Sequence, residues 1–184
     1  MSRTLAQDLP RPARPASATP VAAVVALGAN LGDRAATLEQ AVTEIARLPL
    51  VDEVRVSDPV ESVAVTLEGP SDTAPAYLNA VALVTTRLAP SVLLGMLHAI
   101  ESAHGRTRRV RWGDRTLDLD LIAYGDVVSS EAGLLLPHPR AAEREFVLAP
   151  WLAIDADAVL PGRGRVADLL ARLRSTSEAP EARA

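Results

Sequence analysis

The chain contains no cysteine. Disulfides, thiolate nucleophiles and sulfur-based zinc centres are therefore excluded, and the composition fits a reducing compartment, for which the cytoplasm is the expectation. Lysine is absent too, since all 19 basic residues are arginine. No Schiff-base lysine exists, and no phosphate loop of the G-x-x-x-x-G-K-[ST] type. Aromatic residues make up only 3% of the chain, so the place of each one carries information. No apolar run approaches the roughly 20 residues of a membrane helix, and no membrane partner is expected. A net charge of -4 argues against a nucleic-acid binder, which would carry a basic stripe.

What is present suits one domain of ordinary globular composition: 184 residues, 48% hydrophobic and 23% charged. Residues 1–20 are rich in Pro, Ala and Arg, lack any hydrophobic period, and read as a disordered tail. Arginines ahead of the apolar run "VAAVVALGA" have a superficial likeness to a secretory leader, but prolines intervene and polar "NLGDR" follows at once. The folded domain is expected over 21–176, with 177–184 a flexible C-terminus.

Val21 to Leu27 reads as a buried strand ending at Gly28. Leu38, Val42, Ile45 and Leu48 fall at helical spacing over 34–48. Val51 to Ser57 alternates as a strand, 58–76 reads as irregular, and Tyr77 to Leu88 is a long strand with Leu78, Ala80, Ala82 and Val84 on one face. Pro90 opens a helix that Gly105 stops. A strand at 116–122, a hairpin-like stretch near 124–136, a turn at "LPHPR" and a helix near 166–174 complete the chain. Strand, helix, strand, strand, helix, strand is the split βαβ order of a ferredoxin-like α+β sandwich, with helices on one side of an antiparallel sheet and additions at the C-terminus.

The stretch "RTLDLDLI" at 115–122 poses the chemical question. In a strand, Leu117, Leu119 and Leu121 point one way while Thr116, Asp118, Asp120 and Ile122 point the other. A strand gains nothing from paired aspartates, so either water solvates them or a cation sits between their oxygens. Taken alone, such a pair is more often a solvated face. Just before it, Arg106, Arg108, Arg109, Arg111 and Arg115 fall within ten residues, where an even spread would give about one. Hard carboxylate oxygens suit magnesium, and guanidinium forks match phosphate. Together they describe a metal–polyphosphate site. Tyr77 and Asn79 share a strand face, offering a ring to stack on and an amide to bond, a combination suited to a flat heterocycle.

These residues resemble the hydroxymethyl-dihydropterin pyrophosphokinases of folate synthesis. The resemblance rests on "LGANLGDR" at 27–34, "YLNAV" at 77–81, "GRTRRVRWGDRTLDLDLI" at 105–122, "LPHPR" at 136–140 and "REFVLAPWLAI" at 144–154. It implies transfer of pyrophosphate from ATP to the hydroxymethyl group of 6-hydroxymethyl-7,8-dihydropterin, releasing AMP. It implies further that two magnesium ions are held by Asp118 and Asp120, and that Arg106, Arg108 and Arg115 act with them in catalysis. On the ATP side it places Glu101, Arg106, Trp112, Arg115, Leu121, His138 and Arg144; on the pterin side, Tyr77, Asn79 and Phe146. A monomer with small-molecule partners only is expected.

The chain departs from the family pattern at two places. An aromatic-E-[ST]-x-P motif is replaced by Val60, Glu61, Ser62, Val63 and Ala64, which alters the pterin-side loop. "EAGLL" precedes "LPH" where some members carry polar residues, so adenine contacts there are expected to be backbone or apolar. Two other readings of the same residues are a catalytically dead binding module and a magnesium-dependent phosphohydrolase acting on a nucleotide.

The tail's composition cannot support packing. Deleting residues 1–20 is expected to leave turnover within a few-fold of the full chain; a larger loss would mean that the tail docks on the domain.

Overall fold

The computed structural model describes residues 19–66, 69–71, 75–105 and 116–177, the side chains of 64–66 and 69–71 excepted. The expected tail up to residue 18, the arginine-rich stretch 106–115 and residues 178–184 lie outside the described residues. The first half runs β1 (Val21–Ala29), α1 (Arg34–Ala46), β2 (Val51–Val56), β3 (Val60–Ser62), β4 (Ala64–Thr66), β5 (Gly69–Ser71) and β6 (Tyr77–Thr86). Then follow α2 (Pro90–Ala103), β7 (Asp118–Tyr124), β8 (Ser129–Glu131), β9 (Leu134–Leu136), a 3₁₀ turn at Ala141–Glu143, α3 (Glu145–Ile154), β10 (Val159–Leu160), β11 (Gly164–Arg165) and α4 (Val166–Ser177).

The main sheet has the order β2-β6-β1-β7, with β3 also paired to β6, and every pairing is antiparallel. This is the expected split βαβ arrangement, because β1 is separated from β2 by β6, and β6 from β7 by β1. α1 begins where Asp33 accepts a hydrogen bond from the Ala36 amide at 3.0 Å, an N-cap that satisfies an otherwise orphaned donor. α2 begins with Pro90 in its first turn and gives way to Gly105 at φ +81°, where a side chain would be strained.

Two cores sandwich the sheet. On one face Leu38, Ala41 and Ile45 of α1 and Leu93, Leu97 and Ile100 of α2 pack on Val25, Leu27, Ala82 and Leu119. On the other, Val147, Leu148 and Trp151 of α3 and Val166 and Leu170 of α4 pack on Val24, Val81 and Ile122. The C-terminal additions therefore close the sheet face that a two-layer sandwich would leave open.

Two expectations need correction. Residues 58–76 are not wholly irregular, because Val60–Ser62 pairs with β6 and Ala64–Thr66 pairs with Gly69–Ser71. α3 occupies a stretch for which no element was expected, and Pro150 lies inside it, where proline removes a helical donor. Burial of Val147, Leu148, Pro150 and Trp151 against the sheet outweighs that lost bond.

Leu97 is fully buried, whereas Val128 is 68% exposed. Leu97→Ala is expected to lower unfolding free energy by about 2–5 kcal/mol, and Val128→Ala by less than about 0.5 kcal/mol, in urea titrations followed by circular dichroism.

Candidate active site

The two aspartates sit on β7, which among the described residues is an edge strand paired only with β1. Their alternation is as expected: Leu119 and Leu121 enter the α1–α2 core, and Ile122 enters the opposite one. The parity then shifts at a bulge, because Val25 pairs with Leu121 and Val24 with Ala123, leaving Ile122 as the extra residue. Its carbonyl accepts from the His138 amide at 2.8 Å, which docks the "LPHPR" turn beside Asp120. The Leu136–Pro137 peptide entering that turn is cis.

Asp120 is the meeting point. Nη1 of Arg144, at the N-cap of α3, donates to its Oδ2 at 2.7 Å, and His138 Nε2 lies 3.8 Å from the same oxygen. The Arg140 amide donates to His138 Nδ1 at 3.2 Å, so the neutral ring carries its proton on Nε2, facing the carboxylate. Burial pushes the His138 pKa below its usual range; Asp120 opposes this, and Arg144 and Arg140 reinforce it. The Arg144 guanidinium also lies 5.7 Å from the centre of the Phe146 ring. Beside these groups opens a cleft of ≈ 400 Å³, lined among others by Leu94, Leu121, Leu134, Asp120, His138 and Arg144.

Across the sheet, the residues opposite the aspartates are small: Gly28 faces Asp118 and Ala26 faces Asp120. Gly28 in turn pairs with Asn79, so Asp118, Gly28 and Asn79 form one row on three neighbouring strands. A Cβ on Gly28 would lie 3.3 Å from Asn79 Oδ1 and 3.8 Å from Tyr77 Cδ1, which is why the strand carries glycine at this point. Asn79 is 5% exposed, and its Nδ2 reaches Ser62 Oγ at 2.9 Å, the Val60 carbonyl at 3.4 Å and the Tyr77 carbonyl at 3.5 Å. Carbonyl oxygens only accept, so the amide nitrogen must face them and Oδ1 turns toward Gly28.

The structure thus brings Asp118, Asp120, His138, Arg144 and Phe146 near one end of the sheet, with Tyr77 and Asn79 two strands away on the same face as the aspartates, and Leu121 on the opposite face. Glu101 takes another position: it is 1% exposed on α2, and its Oε1 accepts from the Leu119 amide at 2.8 Å, holding the strand between the two aspartates rather than lining the cleft. Arg106, Arg108, Trp112 and Arg115 lie outside the described residues. Ser62 and Gly28 were missed as contributors to the site. A glycine inside a strand is itself a signal of close approach, whereas nothing in the sequence marks Ser62.

A model of the 7,8-dihydro-6-hydroxymethylpterin-pyrophosphokinase (HPPK) family matches residues 24–156. The chain belongs to this family. It is 39% identical over 150 residues to a 2-amino-4-hydroxy-6-hydroxymethyldihydropteridine pyrophosphokinase of Haemophilus influenzae, covering 82% of this chain and 91% of that one. A protein of the same name from Pseudomonas aeruginosa is 38% identical over 152 residues, 80% of this chain and 88% of the relative. Among solved structures, an HPPK-DHPS of Plasmodium falciparum shares the fold at a TM-score of 0.64 and 12% identity, over 89% of this chain. The match spans 46% of that longer chain.

Asn79→Asp would turn a carboxylate oxygen toward two carbonyls. It is expected to cost roughly 1–3 kcal/mol of stability, read from urea unfolding at pH 7; an unchanged midpoint would mean that the amide faces the other way.

Proposed function

We propose that the chain transfers pyrophosphate from ATP to the hydroxymethyl oxygen of 6-hydroxymethyl-7,8-dihydropterin, giving the pterin diphosphate and AMP. The observation that carries this reading is the row Asp118, Gly28, Asn79, which sets an acidic pair and a heterocycle-binding amide on one sheet face. Strands lie roughly 4.8 Å apart, so the ends of the row are separated by about 10 Å. That span suits a bicyclic ring whose hydroxymethyl arm reaches toward the carboxylates.

On this reading Tyr77 and Phe146 flank the pterin ring, and Asn79 Oδ1 accepts from its edge. The leucine-lined cleft beside Leu121 takes the adenine through apolar and backbone contacts. His138 Nε2 and the Arg144 guanidinium, both directed at Asp120, are donors available to phosphate oxygens. Arg106, Arg108 and Arg115 add fixed positive charge, with Trp112 beside them in sequence. Glu101 acts from behind the strand by holding Leu119.

The donor set also fits magnesium. Asp118 and Asp120 offer hard oxygens on one face, across from Gly28 and Ala26, whose small side chains leave room. Among the described residues no group of three or more His, Cys, Asp or Glu is placed to hold a metal, which suits magnesium bound by one or two carboxylates plus phosphate oxygens and water. Bound there, magnesium supplies positive charge against the polyphosphate oxygens; two ions are proposed. The pterin hydroxyl oxygen attacks the β-phosphorus and gives up its proton to solvent, the bond from that phosphorus to the α–β bridging oxygen breaks, and AMP departs with that oxygen. The protein's share is alignment and charge neutralisation rather than covalent chemistry. Among the described residues no helix is long and apolar enough to cross a membrane, and small molecules are the proposed partners of a monomer.

The test is single-turnover formation of AMP by wild type, D118A, D120A and D120N, with circular dichroism confirming the fold. Both alanine variants are expected to lose about a hundredfold or more in rate. D120N should recover little, because it keeps the shape but loses the charge a hard cation prefers. Near-normal turnover in the alanine variants would return the aspartates to a solvated strand face.

A further inference from the structure

Arg34 occupies an unfavourable place for a cation. It is the first residue of α1, where the helix dipole favours negative charge, and no acidic residue in that first turn offsets it. Its guanidinium is instead recruited elsewhere: Nη1 donates to the Ala76 carbonyl at 2.7 Å, and Nη2 to Glu61 Oε1 at 2.9 Å. Ala76 is the residue before Tyr77, and Glu61 is the residue before Ser62. The fork therefore grips both sides of the β3–β6 pair at once, from the helix that packs on the back of the sheet.

β3 needs such a grip. It has only three residues and, among the described residues, pairs with β6 alone, through Val60 to Asn79, Glu61 to Leu78 and Ser62 to Tyr77. A ladder this short fixes an edge strand weakly. Because neighbouring residues of a strand face opposite ways, Glu61 turns back toward α1 while Ser62 turns to the front and meets the Asn79 amide at 2.9 Å. Arg34 behind and Asn79 in front thus hold the same three residues. The Glu61 carboxylate is 64% exposed, so the ion pair by itself is screened and contributes little. The bond to the Ala76 carbonyl, made by a side chain only 31% exposed, is the stronger of the two.

We propose that Arg34 is a positioning residue for the pterin side of the site, setting Tyr77 through the Ala76 carbonyl and, more weakly, Asn79 through Glu61 and β3, although it touches no reactant. This rests on the pterin reading above. The motif "LGDR" at 31–34 then has two tasks: Asp33 starts the helix, and Arg34 ties that helix to the strand pair bearing the heterocycle-binding groups.

The experiment measures steady-state KM for the dihydropterin and for ATP in wild type, R34A, R34K and E61A, with Y77A as the reference for direct ring contact. In R34A the pterin KM is expected to rise about tenfold, the factor that ~1.4 kcal/mol represents, with the ATP KM and the melting temperature near wild type. R34K should recover part of the loss, because an ammonium can meet one acceptor but cannot fork. E61A should change little, since the screened partner is the weaker one. If Y77A raises the pterin KM and R34A does not, the clamp is overturned while the pterin reading stands. If both KM values and the melting temperature worsen together in R34A, the residue is a general stabiliser and the proposal fails. If neither variant moves the pterin KM, the pterin assignment and the clamp fall together.

Discussion

Two carboxylates on one face of one strand, two residues apart, repel each other, and the surrounding structure answers to that repulsion. Asp118 and Asp120 project from β7, whose far side pairs with no strand among the described residues. The fold supplies partners from elements remote in sequence: a positive charge from Arg144 at the start of α3, and the Nε2 donor of the neutral His138 ring from the turn docked on the bulge at Ile122. It also supplies a brace. Buried Glu101 holds the Leu119 amide, so the backbone between the aspartates is fixed from behind while their side chains stay at the edge of open space. A partly compensated acidic pair of this kind contributes little to stability, and the magnesium proposed above would complete its compensation.

The sheet divides the work between its faces. α1 and α2 pack on one side with a continuous apolar core, and apart from Leu94 of α2, which lines the cleft, that half of the molecule is scaffold. The other face is apolar only where α3 and α4 cover it; towards the Asp118 end it changes to Tyr77, Asn79, the two aspartates and the N-terminal end of α3. Small residues on β1 keep that end low. Gly28 and Ala26 lie between the amide and the carboxylates, and any larger side chain at 28 would meet Asn79. A positioning role for Arg34 would extend the same logic to the scaffold side, with a helix on the back of the sheet setting groups on its front.

Much of this was legible in residue order. The alternation in "DLDLI" assigned the aspartates to a face, and glycine and proline placed both ends of α2, because local chemistry decides such features. The ligand role proposed for the β7 aspartates came from side-chain type, and that for His138 in the "LPHPR" turn from the family resemblance. The parts that were not legible depend on long-range packing. α3 hides behind Pro150, since only burial against the sheet makes a helix with an internal proline worthwhile. β3 is too short to carry a period and exists because β6 is there to pair with it. Glu101 reads as a polar ligand candidate on a helix face, and residue order does not show that its Oε1 also braces the Leu119 backbone. Ser62 matters only through the orientation it gives a neighbouring amide.

The central claim is that the β7 carboxylates and the Asn79–Tyr77 pair serve one transfer, in which the bond broken lies between the α and β phosphates. ATP labelled at the β-phosphorus tests it most directly, incubated with the protein and magnesium, with and without hydroxymethyl-dihydropterin, and the products separated. The account predicts that the label moves to the pterin, that unlabelled AMP appears in equal amount, and that neither happens without the pterin. Label remaining in ADP, or released from ATP in the absence of pterin, would contradict it.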